Sequence, residues 1–67
     1  MLILVERDYD NEEIFKGEAE DFLFEHDNDS ELEMLLEDFE NSNLKRINTY
    51  DDDGNMLTIS KMSQIIY

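Results

Sequence analysis

Residues 20–41 read EDFLFEHDNDSELEMLLEDFEN: ten acids in 22 positions, with no Lys or Arg among them. Carboxylates are the one reactive group this chain holds in quantity. A carboxyl working as a general acid needs a dry pocket that raises its pKa, and a 67-residue chain has little interior for one. The single histidine, His26, has no Ser or Cys elbow to serve, and there is no Cys at all. A lone His beside an apolar stripe is most often a packed or surface residue. With Gly17 and Gly54 the only glycines, neither G-x-x-x-x-G-K-[ST] nor G-x-G-x-x-G can be written onto the chain.

Calcium is the next chemistry to test. DDDGN places acids one and three positions before Gly54, as a calcium loop does. Thr49 then stands at the first ligand position and Ser60 at the closing one, which requires a bidentate Glu. Both ends are missing. No catalytic residue, metal site or cofactor is therefore expected.

Charge points elsewhere. Nineteen acids against five bases give −14, and residues 8–40 carry all of it, with Lys16 as their only base. The rest sums to zero: Glu6, Asp51, Asp52 and Asp53 against Arg7, Lys45, Arg46 and Lys61. Phosphates and anionic membrane surfaces are bound by Lys and Arg, so direct contact with either is disfavoured. An acidic block meets a basic protein surface.

The elements that must position these acids follow from spacing. MLILVE suits a buried strand. Asp10 with Glu13 suggests a capping box for a helix over roughly 11–26, with Phe15, Ala19, Phe22, Leu23 and His26 on one stripe. Gly17 in its middle weighs against that helix, and the alternation in DFLFEH makes Phe22–His26 a competing strand. Ser30 and Glu33 form an S-x-x-E box, and Leu32, Leu35, Leu36 and Phe39 repeat at helical spacing, predicting a helix over 31–41. Asp53-Gly54 between LKRINTY and NMLTISKM predicts a hairpin. SQIIY would extend the last strand or cover the core. The expected fold is one α+β domain over 1–67, a three-stranded, mainly antiparallel sheet in the order β-α-α-β-β with two acidic helices on one face. If Phe22–His26 is a strand, the order becomes β-β-β-α-β-β.

On the second helix Glu31, Glu33, Glu37, Asp38 and Glu40 lie opposite the leucine stripe. Five charges along 11 residues come to roughly one per 3.3 Å, against about 3.4 Å per phosphate along one DNA strand. Glu18, Glu20, Asp21 and Glu25 would form a second row about 10 Å away, the spacing of packed helices. Phe24 and Met34 stand off the apolar stripes amid these acids, as an apolar anchor inside a polar rim would. A broad apolar face would bury them instead.

In size, acidity and lack of cysteine the chain resembles the small proteins with which bacteriophages block host DNA-binding proteins. These DNA mimics include anti-CRISPR proteins and inhibitors of uracil-DNA glycosylase and of histone-like proteins. The resemblance rests on character and not on a motif, so it assigns no residue. It implies an inhibitor, working in the host cytoplasm, that occupies the nucleic-acid-binding surface of a basic protein. The alternative is a regulatory adaptor or antitoxin-like subunit that binds through apolar surface. With no secretory pattern and no run long enough to span a bilayer, a cytoplasmic protein is expected. So is a monomer, or a weak dimer through the sheet or the C-terminal tail, never through the acidic helices.

Overall fold

The computed structural model describes residues 1–62. Four strands and two helices follow one another as β1 (Leu2–Arg7), β2 (Glu12–Glu18), α1 (Ala19–Glu25), α2 (Ser30–Asn41), β3 (Arg46–Tyr50) and β4 (Met56–Lys61). The sheet order is β2-β1-β4-β3, and each neighbouring pair is antiparallel. The α+β class is as expected. The element order is β-β-α-α-β-β and the sheet has four strands, so neither expected order holds. SQIIY lies outside the described residues.

The apolar run at the N-terminus becomes a central strand, flanked on both sides. Ile3 and Val5 are fully buried, and a row of paired residues, Phe15, Val5, Ile59 and Ile47, crosses all four strands on the core face. Ala19 and Phe22 of α1 and Leu36 and Phe39 of α2 close this core with Leu57. The other side of the sheet carries the row Lys16, Leu4, Ser60 and Arg46. No helix of the described residues is long and apolar enough to cross a membrane.

The departure from expectation begins at Asp10. Instead of capping a helix, its Oδ1 accepts the backbone N–H of Glu12 at 3.1 Å, an Asx turn. Arg7 grips both oxygens of the same carboxylate from Nε (3.1 Å) and Nη2 (2.7 Å) and also bonds Glu12. Asn11 takes φ 55°, the left-handed conformation that Asn tolerates. Together they turn the chain back, and residues 12–18 pair with β1 instead of coiling. The glycine that weighed against a helix is part of the strand: Gly17 has φ 158° and pairs with Ile3. A Cβ there would lie 3.3 Å from the Phe15 ring, which packs on Phe22 with centroids 5.1 Å apart. The Phe15–Phe22 contact that a helical stripe implied therefore exists, made between a strand and a helix. The other alternative also fails, because Phe22–Glu25 is helical.

The second helix forms where its leucine spacing predicts, with one correction. Asp29, not Ser30, is the N-cap; its Oδ1 accepts the N–H groups of Glu31 (2.8 Å) and Leu32 (3.2 Å). Ser30 already has helical geometry. Asp27 and Asn28, at φ 57° and 53°, complete the tight connection from α1. The β3–β4 hairpin turns at Gly54, as Asp53-Gly54 predicted, with φ 81° there and Asp51 accepting around it.

Candidate acidic interface

All nine acids singled out from the sequence are solvent-exposed: Glu18, Glu20, Asp21, Glu25, Glu31, Glu33, Glu37, Asp38 and Glu40. So are the two apolar candidates, Phe24 at 73% and Met34 at 65%. The broad apolar face that would have buried them does not form. Phe22 and Ala19 take the core side of the short α1, and Leu36 and Phe39 that of α2.

The two proposed rows meet in part. A groove of about 410 Å³ between the helices is lined by Glu20 from α1 and by Glu33, Glu37 and Glu40 from α2. Its floor is apolar, formed by Met1, Ala19, Leu23 and Leu36. Glu18 reaches the same end of the molecule: the Met1 ammonium donates to its Oε2 at 3.1 Å and lies 3.7 Å from Glu40. The hydrogen bond to Glu18 raises the pKa of that ammonium above its usual 8.0. Asp21, Asp38, Phe24 and Met34 line neither this groove nor the cleft described next.

That second cleft, about 650 Å³, was not anticipated. Glu25 and Glu31 line it, joined by Asp27 and Asp29 from the α1–α2 turn and by Asp51 and Asp52 from the distant β3–β4 turn. Phe22, Leu32, Leu35 and Leu57 form its apolar lining. His26 stands at its edge, its ring 4.5 Å from that of Phe22. In sequence, residues 51–53 belong to a stretch of zero net charge. The hairpin separates their charge from Lys45, Arg46 and Lys61, which sit at its other end, and carries it to the acidic helices. DDDGN as a turn signal was legible; where the turn lands was not.

The electrostatics of α2 are lopsided. Glu31 and Glu33 in its first turn complement the positive end of the helix dipole. Glu37, Asp38 and Glu40 oppose the negative end, and the last turn holds no base. Glu33 and Glu37 are four apart and Glu37 and Glu40 three apart, so both are like-charge neighbours on one helix face. None of the nine acids is paired with a Lys or Arg among the described residues. No three His, Asp or Glu side chains among those residues are placed to hold a metal ion.

Comparison of the chain with protein-family models, with curated proteins and with solved structures finds no match.

Proposed function

We propose that this chain is a non-enzymatic inhibitor that mimics the charge of a nucleic acid and occupies the basic DNA- or RNA-binding surface of a target protein. The observation that carries the reading is the groove between α1 and α2, where Glu20 faces Glu33, Glu37 and Glu40 across an apolar floor. Carboxylates gathered from two helices, with no Lys or Arg among them and only the Met1 ammonium 3.7 Å from Glu40, repel one another. Three of the α2 acids also oppose the helix dipole. That arrangement weakens the free protein and is relieved when Lys and Arg of a partner approach. Solubility alone needs no such concentration, since scattered charge serves it as well.

Such a partner binds by electrostatic steering, with fast association that falls as salt rises. The phage-encoded DNA mimics are the class of inhibitor this behaviour fits, an anti-CRISPR protein or a blocker of a host DNA-binding protein among them. The decisive experiment is capture of partners from host lysate at low and high salt, with and without competing DNA. Bound protein should be basic, released by salt and displaced by DNA. Replacing Glu33, Glu37 and Glu40 by Lys together should abolish capture; unchanged capture would sink the reading.

The exposure of Phe24 and Met34 favours a second reading, a regulatory adaptor or antitoxin-like subunit that binds through apolar contacts. Capture would then survive high salt and fail when Phe24 and Met34 are replaced by Ser.

A further inference from the structure

We propose that the free edge of β3 is a self-pairing surface, on which a second copy of this chain adds its own β3 antiparallel to make a continuous eight-stranded sheet. Both outer strands of the sheet have an open edge among the described residues, and β2 is the more heavily guarded, since β3 carries one charge, Arg46. β2 carries a bulge at Ile14, where the register slips between Val5 and Glu6, and holds Glu12, Glu13 and Glu18. Bulges and charge are how proteins discourage edge pairing. β3 reads RINTY, with β-prone residues and neither bulge, Gly nor Pro.

The hydrogen-bond phase of β3 fixes which groups are free. Lys61 N–H donates to Lys45 O, and Asp51 N–H to Asn55 O, each at 2.9 Å. Residues 45, 47, 49 and 51 therefore turn their backbone groups toward β4, and by alternation Arg46, Asn48 and Tyr50 turn theirs outward. All three have exposed side chains, Tyr50 at 64%. A two-fold axis through Asn48 sets Asn48 opposite its own copy and Arg46 opposite Tyr50, each pair exchanging both hydrogen bonds. Arg46 and Tyr50 share the sheet face away from the helices, so the guanidinium meets a phenol ring across the junction. On the other face Lys45 comes opposite Asp51. The hairpin is itself a dipole, Asp51, Asp52 and Asp53 at its turn and Lys45 and Arg46 at its start, and antiparallel pairing sets two such dipoles head to tail.

This dimer has an opposing term. Both copies keep their helices on the same side of the joined sheet, so their acidic faces repel, and screening by salt should strengthen the association. The inference does not depend on what the acids bind.

Sedimentation of the full chain over a concentration series at low and high salt should show a weak dimer that grows with salt. Asn48→Pro removes the outward N–H and the side-chain bonds from Asn48 Nδ2 to Leu57 O and Thr58 Oγ1, but no backbone bond between β3 and β4; it should keep the fold by circular dichroism and sediment as a monomer throughout. In the otherwise cysteine-free chain, Asn48→Cys should cross-link on mild oxidation. Hydrogen-bonded partners stand about 5.5 Å apart at Cα, within the disulfide range of roughly 4.4–6.8 Å. Glu13→Cys on the guarded edge should not cross-link. A chain that stays monomeric in high salt overturns the proposal, as does a dimer that persists in Asn48→Pro.

Discussion

Lys61, the last residue of β4, donates its Nζ to the carbonyl oxygen of Ser42, the C-cap of α2, at 2.7 Å. The same ammonium lies 4.8 Å from the centroid of the Phe39 ring. One lysine thus ties the sheet to the negative end of a helix whose last turn is acidic. Replacing Lys61 by Met keeps the bulk and removes the charge. The fold should lose about 1–2 kcal/mol, read as a drop in Tm of roughly 4–8 °C per kcal/mol for a domain this small. A Tm within a degree of the parent would show that the contact contributes nothing.

Glu37→Lys should move stability and binding in opposite directions. The substitution places a cation near the C-terminal end of α2 and turns two repulsive neighbours, Glu33 and Glu40, into attractive ones. Summed, this stabilises by roughly 1 kcal/mol. The same change removes one of the four groove carboxylates, so affinity for a basic target should fall by about tenfold, equivalent to about 1.4 kcal/mol. Thermal melting and a binding titration on the same preparation check both halves. A stabilised variant with undiminished affinity would leave the α2 acids without a binding role.

Asp51 gives the hairpin a pH dependence. The N–H of Asn55 (2.7 Å) and that of Asp53 (3.0 Å) both donate to its Oδ1. These bonds, Asn55 first, hold the carboxyl below its ordinary 3.8. A carboxyl whose folded pKa is depressed contributes stability that is fully present above its unfolded value and is lost as pH falls through the folded one. Asp51→Ala should therefore melt below the parent at neutral pH, and the gap should close in acid below 3.8. A gap that holds down to about pH 2, well under the unfolded value, would contradict this origin.

Phe24 and Met34 separate the two functional readings without disturbing the fold. Both side chains are exposed on helices whose other faces form the core. Phe24→Ser and Met34→Ser should each change stability by no more than about 0.5 kcal/mol. Under the charge reading, capture should weaken modestly and keep its salt dependence. Loss of 2 kcal/mol or more on either change, the size of an interface hot spot, would favour the adaptor.

How much was legible follows from how local each signal is. α2 could be read because its leucine spacing and the S-x-x-E start lie within its own residues; only the identity of the cap was off by one. The β3–β4 hairpin was equally local, with Asp53-Gly54 between two β-prone runs. β1 was legible as a strand because MLILVE holds a short, continuous apolar run, as a buried strand does. Residues 12–18 were not, because EEIFKGE has neither a clear two-residue nor a clear helical period. Its state depends on the Arg7–Asp10 grip and on β1 lying alongside, which are tertiary facts.

The sequence by itself determined the charge of this protein, its acidic block, and the exposure of the α2 acids, since one apolar stripe can bury only one side of a helix. It also determined that two polar turns bracket that helix. Only the tertiary structure decided that Asp51 and Asp52 join Glu25 and Glu31 around one cleft, and that Glu20 faces Glu33, Glu37 and Glu40 across another. Those groupings depend on how β4 pairs with both β1 and β3. Such pairing brings together residues as far apart as Ile3 and Lys61, 58 positions, and supports the 2.5 Å bond from Thr58 Oγ1 to Asp8 Oδ1 across fifty. A periodicity seen through a window of ten residues carries no information at that range, because each strand reports which face is buried and not which strand lies beside it.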